Sequence, residues 1–170
     1  MKIFTYIKNN SSRVEKKNFR KIGGLELWKH LIQELDEIGC QIFIDTDSKK
    51  ILEDCSSDLL FKNVQAYPRK IEFIKMENAH DKNLSPSLLM IENFIDNFVT
   101  DENETIVLTH VTSPFLKKET ILEAVTKYER GGFDYAHSVV KEHNFAFLSN
   151  FKNPINFDPS VVQKTQDLEP

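Results

Sequence analysis

Ile3-Phe4-Thr5-Tyr6-Ile7-Lys8-Asn9-Asn10-Ser11-Ser12-Arg13-Val14-Glu15-Lys16-Lys17-Asn18-Phe19-Arg20-Lys21 passes from an apolar run straight into a cationic one. Its first part reads as a strand from Lys2 to Lys8. From Lys8 to Lys21 there are six cations and one acid, in a chain with 26 acids against 22 bases. Such a concentration of positive charge directly after a first strand points to a loop that receives polyanionic phosphate. Asn9-Asn10 tolerates left-handed backbone and would turn the chain so that successive amides face inward, with Ser11 and Ser12 as hydroxyl donors. Lys8, Arg13 and Lys17 would then neutralise a triphosphate. The other reading of the same residues is a solvated basic loop that holds nothing.

Downstream, strands and helices alternate. A helix is expected from Leu25 to Ile38, with Leu27, Trp28, Leu31, Ile32 and Leu35 on one face and Gly39 as its stop. Gln41 to Ile44 reads as a strand, Lys50 to Cys55 as a helical piece and Val64 to Tyr67 as a short third strand. An irregular connection is expected through Asn83. Ser85-Pro86 opens a second strong helix carrying Leu89, Ile91, Phe94, Ile95 and Phe98. Thr105 to Thr109 reads as a continuous buried strand, followed by a helix from Thr120 to Tyr128 that ends at Arg130-Gly131-Gly132. This order implies an α/β protein with a mostly parallel sheet, helices on both faces and a ligand crevice at the carboxyl ends of the strands. Residues 1–140 would form that core. Residues 141–170, with Phe145 to Leu148 as the one clear strand candidate, would form an excursion or dimer arm, and the chain is expected to be incomplete after Pro170.

Composition narrows the partners. At 170 residues the chain fits one domain that buries roughly two thirds of its unfolded surface, with 13 Phe and many aliphatics to fill a core. A formal net charge of -4 argues against a general nucleic-acid coat and for a small partner. Without a signal peptide or a membrane-length apolar run, the expected location is the cytoplasm. Cys40 and Cys55 have neither metal spacing nor the number for a disulfide framework and read as buried reduced thiols.

Three further clusters carry polar chemistry. In Thr109-His110-Val111-Thr112-Ser113-Pro114, His110 could contact a base, ribose or phosphate and Thr112 and Ser113 could donate hydroxyl hydrogen bonds, or Ser113-Pro114 simply starts a helix. Asp45-Thr46-Asp47 fits an acidic metal or ribose site, or else Asp47 caps the helical piece beginning at Ser48. Arg69 could hold a carboxylate bidentately, or lie exposed, and Ser85 could cap a helix or touch a ligand.

Together these pieces resemble the acylneuraminate cytidylyltransferase family, the CMP-sialic acid synthetases. Lys8-Asn9-Asn10-Ser11-Ser12-Arg13, then Lys17-Asn18, then Ile22-Gly23-Gly24 is similar to that family's R-G-G-S-K-R, K-N and L-G-G-K-P-L. Asp45-Thr46-Asp47 resembles its S-T-D, and Leu108 to Leu116 its L-L-Q-P-T-S-P-L. Thr165 to Pro170 resembles the arm before its last core segments. Lys8 stands where the family has Arg, Asn9-Asn10 where it has Gly-Gly, Ser12 where it has Lys, and His110-Val111 where it has Gln-Pro. The resemblance implies a Rossmann-like three-layer nucleotidyltransferase fold, a homodimer, and transfer of CMP from CTP to a nonulosonic sugar acid with release of pyrophosphate and the help of Mg²⁺. It implies Lys8, Arg13 and Lys17 as catalytic residues. Asn9, Asn10, Ser11, Ser12, Asn18, Ser85, His110, Thr112 and Ser113 would bind nucleotide, and Arg69 and Gln166 the sugar acid. The paired aspartates with which the family holds Mg²⁺ would lie beyond Pro170. The alternative is a non-catalytic nucleotide-binding or interaction module of the same fold.

Overall fold

A computed structural model describes residues 1–11, 13–57, 61–79, 86–142, 144–149, 152–161 and 164–168, apart from the side chains of 77–79 and 167. In chain order it contains β1 (Lys2–Ile7), a 3-10 turn at Lys17–Phe19, β2 (Lys21–Ile22), β3 (Leu25–Glu26), α1 (Leu27–Asp36), β4 (Gln41–Thr46) and α2 (Lys49–Ser57). Then follow β5 (Val64–Pro68), α3 (Ile71–Ala79), α4 (Pro86–Phe98), β6 (Ile106–Leu108), α5 (Lys118–Gly131) and a 3-10 turn at Thr165–Asp167. The chain divides into two compact units, Met1–Gly131 and Gly132–Pro170.

The first unit is a parallel sheet in the order β5-β4-β1-β6. Strand side chains alternate between faces. Ile3 and Ile7 of β1 and Ile42 and Ile44 of β4 join Trp28, Leu31, Ile32 and Leu35 of α1, Ile51 of α2 and Ile121 of α5. Phe4 and Phe43 point the other way, onto Phe73 of α3 and Met90 and Phe94 of α4. Helices therefore cover both faces, which is the three-layer α/β arrangement that the alternation implies. The chain moves outward from β1 to β4 and β5, then returns to the other side of β1 with β6. Strand order thus reverses between β1 and β6, where a crevice opens at the carboxyl ends.

Four expectations need correction. The stretch after Pro68 is not irregular throughout, because α3 forms there with the Lys70 carbonyl accepting from the Phe73 and Ile74 amides at 3.1 and 3.3 Å. Its periodicity is weak because Phe73 is its only core residue among the described side chains. The apolar run at 105–109 shortens to the three-residue β6, which pairs with β1 and leaves Leu108 43% exposed. Ser113-Pro114 starts no helix; the chain turns at 110–116 and α5 begins at Lys118. Phe145 to Leu148 makes no strand ladder, only an antiparallel bridge between Phe147 and Pro154, with the Phe157 ring edge-on to Phe145 and Phe147.

Cys40 and Cys55 form no disulfide and are half-buried against the α1 side of the core rather than fully inside it. Among the described residues no helix is long and apolar enough to cross a membrane. On the opposite face Phe94 is fully buried and stacks on Phe4 with ring centroids 4.6 Å apart. Phe94→Ala is expected to lower the unfolding free energy by about 3–5 kcal/mol in urea denaturation, since it removes the ring contacts with Phe4 and Phe43 and leaves a void between α4 and the sheet.

Candidate functional site

The cleft at the switch point is assembled from the ends of β1 and β6. Beyond Phe4, β6 has no strand bonds to β1, and two other bonds replace them: the Thr109 amide donates to the Phe4 carbonyl at 3.0 Å and the Thr5 hydroxyl to the Thr109 carbonyl at 2.9 Å. His110 is thereby delivered beside Tyr6, their rings edge to face at 5.4 Å. On the other flank, the Thr46 hydroxyl donates to the Ile7 carbonyl at 2.7 Å and accepts from the Ser48 amide at 3.1 Å, binding the end of β4 to the end of β1. The loop after β6 is anchored farther out. Glu34 of α1 accepts from Lys117 Nζ at 2.5 Å and from the Lys118 amide at 3.3 Å, and the bond from Lys117 is the main reason its carboxyl titrates below the usual range.

From Lys8 the basic loop crosses above these ends. The Lys17 amide donates to the Val14 carbonyl, the Phe19 amide to Lys16 and the Arg20 amide to Lys17, which winds 14–20 into tight turns. Lys16 takes the left-handed conformation, with φ of 49°. Asn9 and Asn10 do not, because the Asn9 amide is drawn to Asp47 Oδ1 at 2.6 Å instead of curling inward. Behind the loop, Gly23 and Gly24 sit at φ of 57° and 87° and close the β2–β3 hairpin in a two-residue turn that needs positive φ. The Arg20 carbonyl accepts from the Leu27 amide at 2.8 Å and so ties the loop to the start of α1.

The result is a cleft of about 270 Å³. Lys8, Arg13 and Lys17 supply its charge, Ser11, Asn18 and Thr112 its neutral polar groups, and Tyr6, His110 and Val111 the opposite wall. Asn18 is 6% exposed; its Nδ2 donates to the Lys8 carbonyl at 2.8 Å, while its Oδ1 is a buried acceptor with no hydrogen-bond partner among the described residues. Buried acceptors in native proteins are nearly always satisfied, so this oxygen has room for a further donor.

Seven of the residues that the sequence singles out therefore meet here: Lys8, Ser11, Arg13, Lys17, Asn18, His110 and Thr112. Asn9 and Asn10 are exposed outside the lining and Ser113 is exposed in the following turn. Ser12 and Ser85 fall outside the described residues. Gln166 is exposed in the second unit. Sequence reasoning misses Tyr6 and Val111; the available signal for Tyr6 is a hydroxylated ring one residue before the end of the first strand.

Arg69 does not lie exposed, and the carboxylate it holds is one of the protein's own. Its side chain is fully buried, with Nε donating to Asp45 Oδ1 at 2.5 Å and Nη2 to the Asp45 carbonyl at 3.3 Å. A guanidinium committed to a protein carboxylate in the core is not presented to an incoming sugar acid. The same pair holds Asp45 in the core, and Asp47 Oδ1 accepts from the Asn9 amide. Ser48, whose Oγ accepts from the Ile51 amide at 3.4 Å, caps the helix in place of Asp47. Among the described residues no three His, Cys, Asp or Glu side chains converge.

The sheet order and layers define a Rossmann-like α/β protein with the nucleotidyltransferase fold. The sequence profile of the cytidylyltransferases matches residues 8–156, and the chain belongs to that family. It is 25% identical over 161 residues to N-acylneuraminate cytidylyltransferase B of Danio rerio, covering 92% of this chain and 35% of that protein. This chain thus spans about a third of that relative's length. Its fold is similar to that of CMP:2-keto-3-deoxy-manno-octonic acid synthetase, solved as a complex with CTP, with a TM-score of 0.54 and 15% identity over 76% of this chain and 47% of the other.

Tyr67, on β5 beside the Asp45–Arg69 pair, provides a direct check of this buried polar layer. Burial first, and then the Asp45 charge, push its phenol well above the ordinary value of 10.0. Because the folded-state value is the higher one, its contribution to stability is complete below about pH 10 and is lost as pH rises further, when the unfolded chain ionises first. In an alkaline absorbance titration one of the four tyrosines is expected to lag and to ionise only with unfolding, and Tyr67→Phe should remove that lagging phase.

Proposed function

We propose that the cleft binds CTP and that the protein transfers CMP from it to a nonulosonic, sialic-type sugar acid, releasing pyrophosphate. The observation that carries this reading is the convergence of Lys8, Arg13 and Lys17 on one cleft at the strand-order switch of a cytidylyltransferase-family chain. Attack of a sugar hydroxyl oxygen on the α-phosphorus forms one P–O bond and breaks the bond to pyrophosphate, with the hydroxyl proton released to solvent. Such displacement needs charge neutralisation and in-line placement more than covalent catalysis. The three cations would stabilise the triphosphate and the departing pyrophosphate. Asn18 Oδ1 cannot face a phosphate oxygen favourably, being an acceptor itself; it suits a hydroxyl or amino donor of the nucleoside. Ser11, His110 and Thr112 would complete the orientation, and Tyr6 adds an aromatic wall for a flat or apolar ring face.

The sialic-type substrate is supported by the match to an N-acylneuraminate cytidylyltransferase, and Gln166 stays a candidate for contacting it. A homodimer and a cytoplasmic setting belong to the same reading. Exposed apolar residues of the second unit, including Tyr135, Val139 and Val140, favour self-association, which sedimentation would detect.

Calorimetric titration with CTP is expected to show saturable binding, weakened about tenfold or more by Lys17→Ala, since a charge-assisted contact is lost. Absence of saturable binding by the native chain would falsify the nucleotide assignment. Pyrophosphate release from CTP with a panel of sialic-type acids, with and without added Mg²⁺, is expected to identify an acceptor; CTP binding without release under any of them would favour the non-catalytic module.

A further inference from the structure

We infer that Asp47 is a positioning residue: its carboxylate clamps the peptide plane between Lys8 and Asn9 and so aims the cationic loop into the cleft. The inference rests on the phosphate-binding reading of that loop. Asp47 Oδ1 accepts from the Asn9 amide at 2.6 Å, and the carbonyl of the same peptide unit, that of Lys8, accepts from Asn18 Nδ2 at 2.8 Å. A peptide unit is planar and rigid. Bonds at both poles therefore hold ψ of Lys8 and φ of Asn9, the two torsions that decide how the chain leaves β1.

Asp47 is itself mounted on a stiff support. It directly follows Thr46, which stands in register with Ile7 and whose hydroxyl bonds to the Ile7 carbonyl, while the Thr46 carbonyl accepts from the Arg69 amide at 2.8 Å. The clamp thus refers the loop to the two central strands. Neither Asp47 nor Asn9 lines the cleft, so their bond is not a ligand contact.

Charge makes the role testable by sign. A carboxylate near a triphosphate site repels the ligand, so electrostatics alone predicts tighter anion binding when Asp47 is removed. A clamp predicts weaker binding, because Lys8 and the cations behind it lose their shared orientation. Asn keeps the acceptor oxygen without the charge and should rescue.

The full chain would be titrated with inorganic tripolyphosphate at low ionic strength without Mg²⁺. Asp47→Ala is expected to weaken binding about five- to tenfold, and Asp47→Asn to match or exceed the wild type. Asp47→Ala binding as tightly as the wild type or tighter, or Asp47→Asn weakening equally, overturns the proposal. Amide NMR without ligand reads the clamp separately: the Asn9 proton should be shifted downfield and protected from exchange in the wild type and Asp47→Asn, and lose both in Asp47→Ala. An Asn9 amide indifferent to Asp47→Ala sinks the clamp whatever the titration shows. If that amide responds while the wild type fails to bind tripolyphosphate, the clamp stands and the phosphate reading of the loop falls.

Discussion

Strand β1 is covered on every side except its carboxyl end. β4 and β6 pair with its two edges, Ile3 and Ile7 are sealed under α1, and Phe4 is sealed under α4. Its position in the sheet is therefore overdetermined, and the segments that follow β1 and β6 must emerge next to one another. Because β6 has only three residues, the side-chain bond from Thr5 and the amide bond from Thr109 carry the alignment beyond the ladder. His110 reaches Tyr6 for that reason, and the cleft between the two strand ends has fixed walls on both sides.

A cationic cleft in an acidic chain requires that acids be kept out of it. They are kept out by pairing: Asp45 lies in the core with Arg69, Asp47 accepts the Asn9 amide at the root of the loop, and Glu34 and Glu37 hold Lys117 and Lys118. Each bond also fastens a segment that shapes the site. The buried Asp45–Arg69 pair is the costliest of these, since two desolvated charges repay their dehydration only with good geometry. Its position beneath the ends of β4 and β5 gives the surface above it a firm floor.

Elements with strong local signals are legible in the amino-acid sequence. Short apolar runs mark β1, β4 and β5, the Leu27–Leu35 stripe marks α1, and Pro86 with its helical spacing marks α4. The weak cases share one cause, which is dependence on distant partners. α3 buries one described side chain and so has little periodicity to detect, and the apolar Ile106–Leu108 run reads as central because sequence does not reveal which strand edge is covered. Asn9-Asn10 reads as a left-handed turn, yet a carboxylate 38 residues away takes the Asn9 amide, and among the described residues of the loop it is Lys16 that is left-handed.

The sequence by itself determined the α/β alternation, the cationic loop after the first strand and the polar cluster after the last, because all three are local in chain order. Seven of the residues it nominated meet in one cleft. Only the tertiary structure decided what Arg69, Asp45 and Asp47 do. A charged side chain's role depends on which opposite charge or amide the fold brings within about 3 Å, and no local pattern around residues 45–47 names a partner at position 9 or 69.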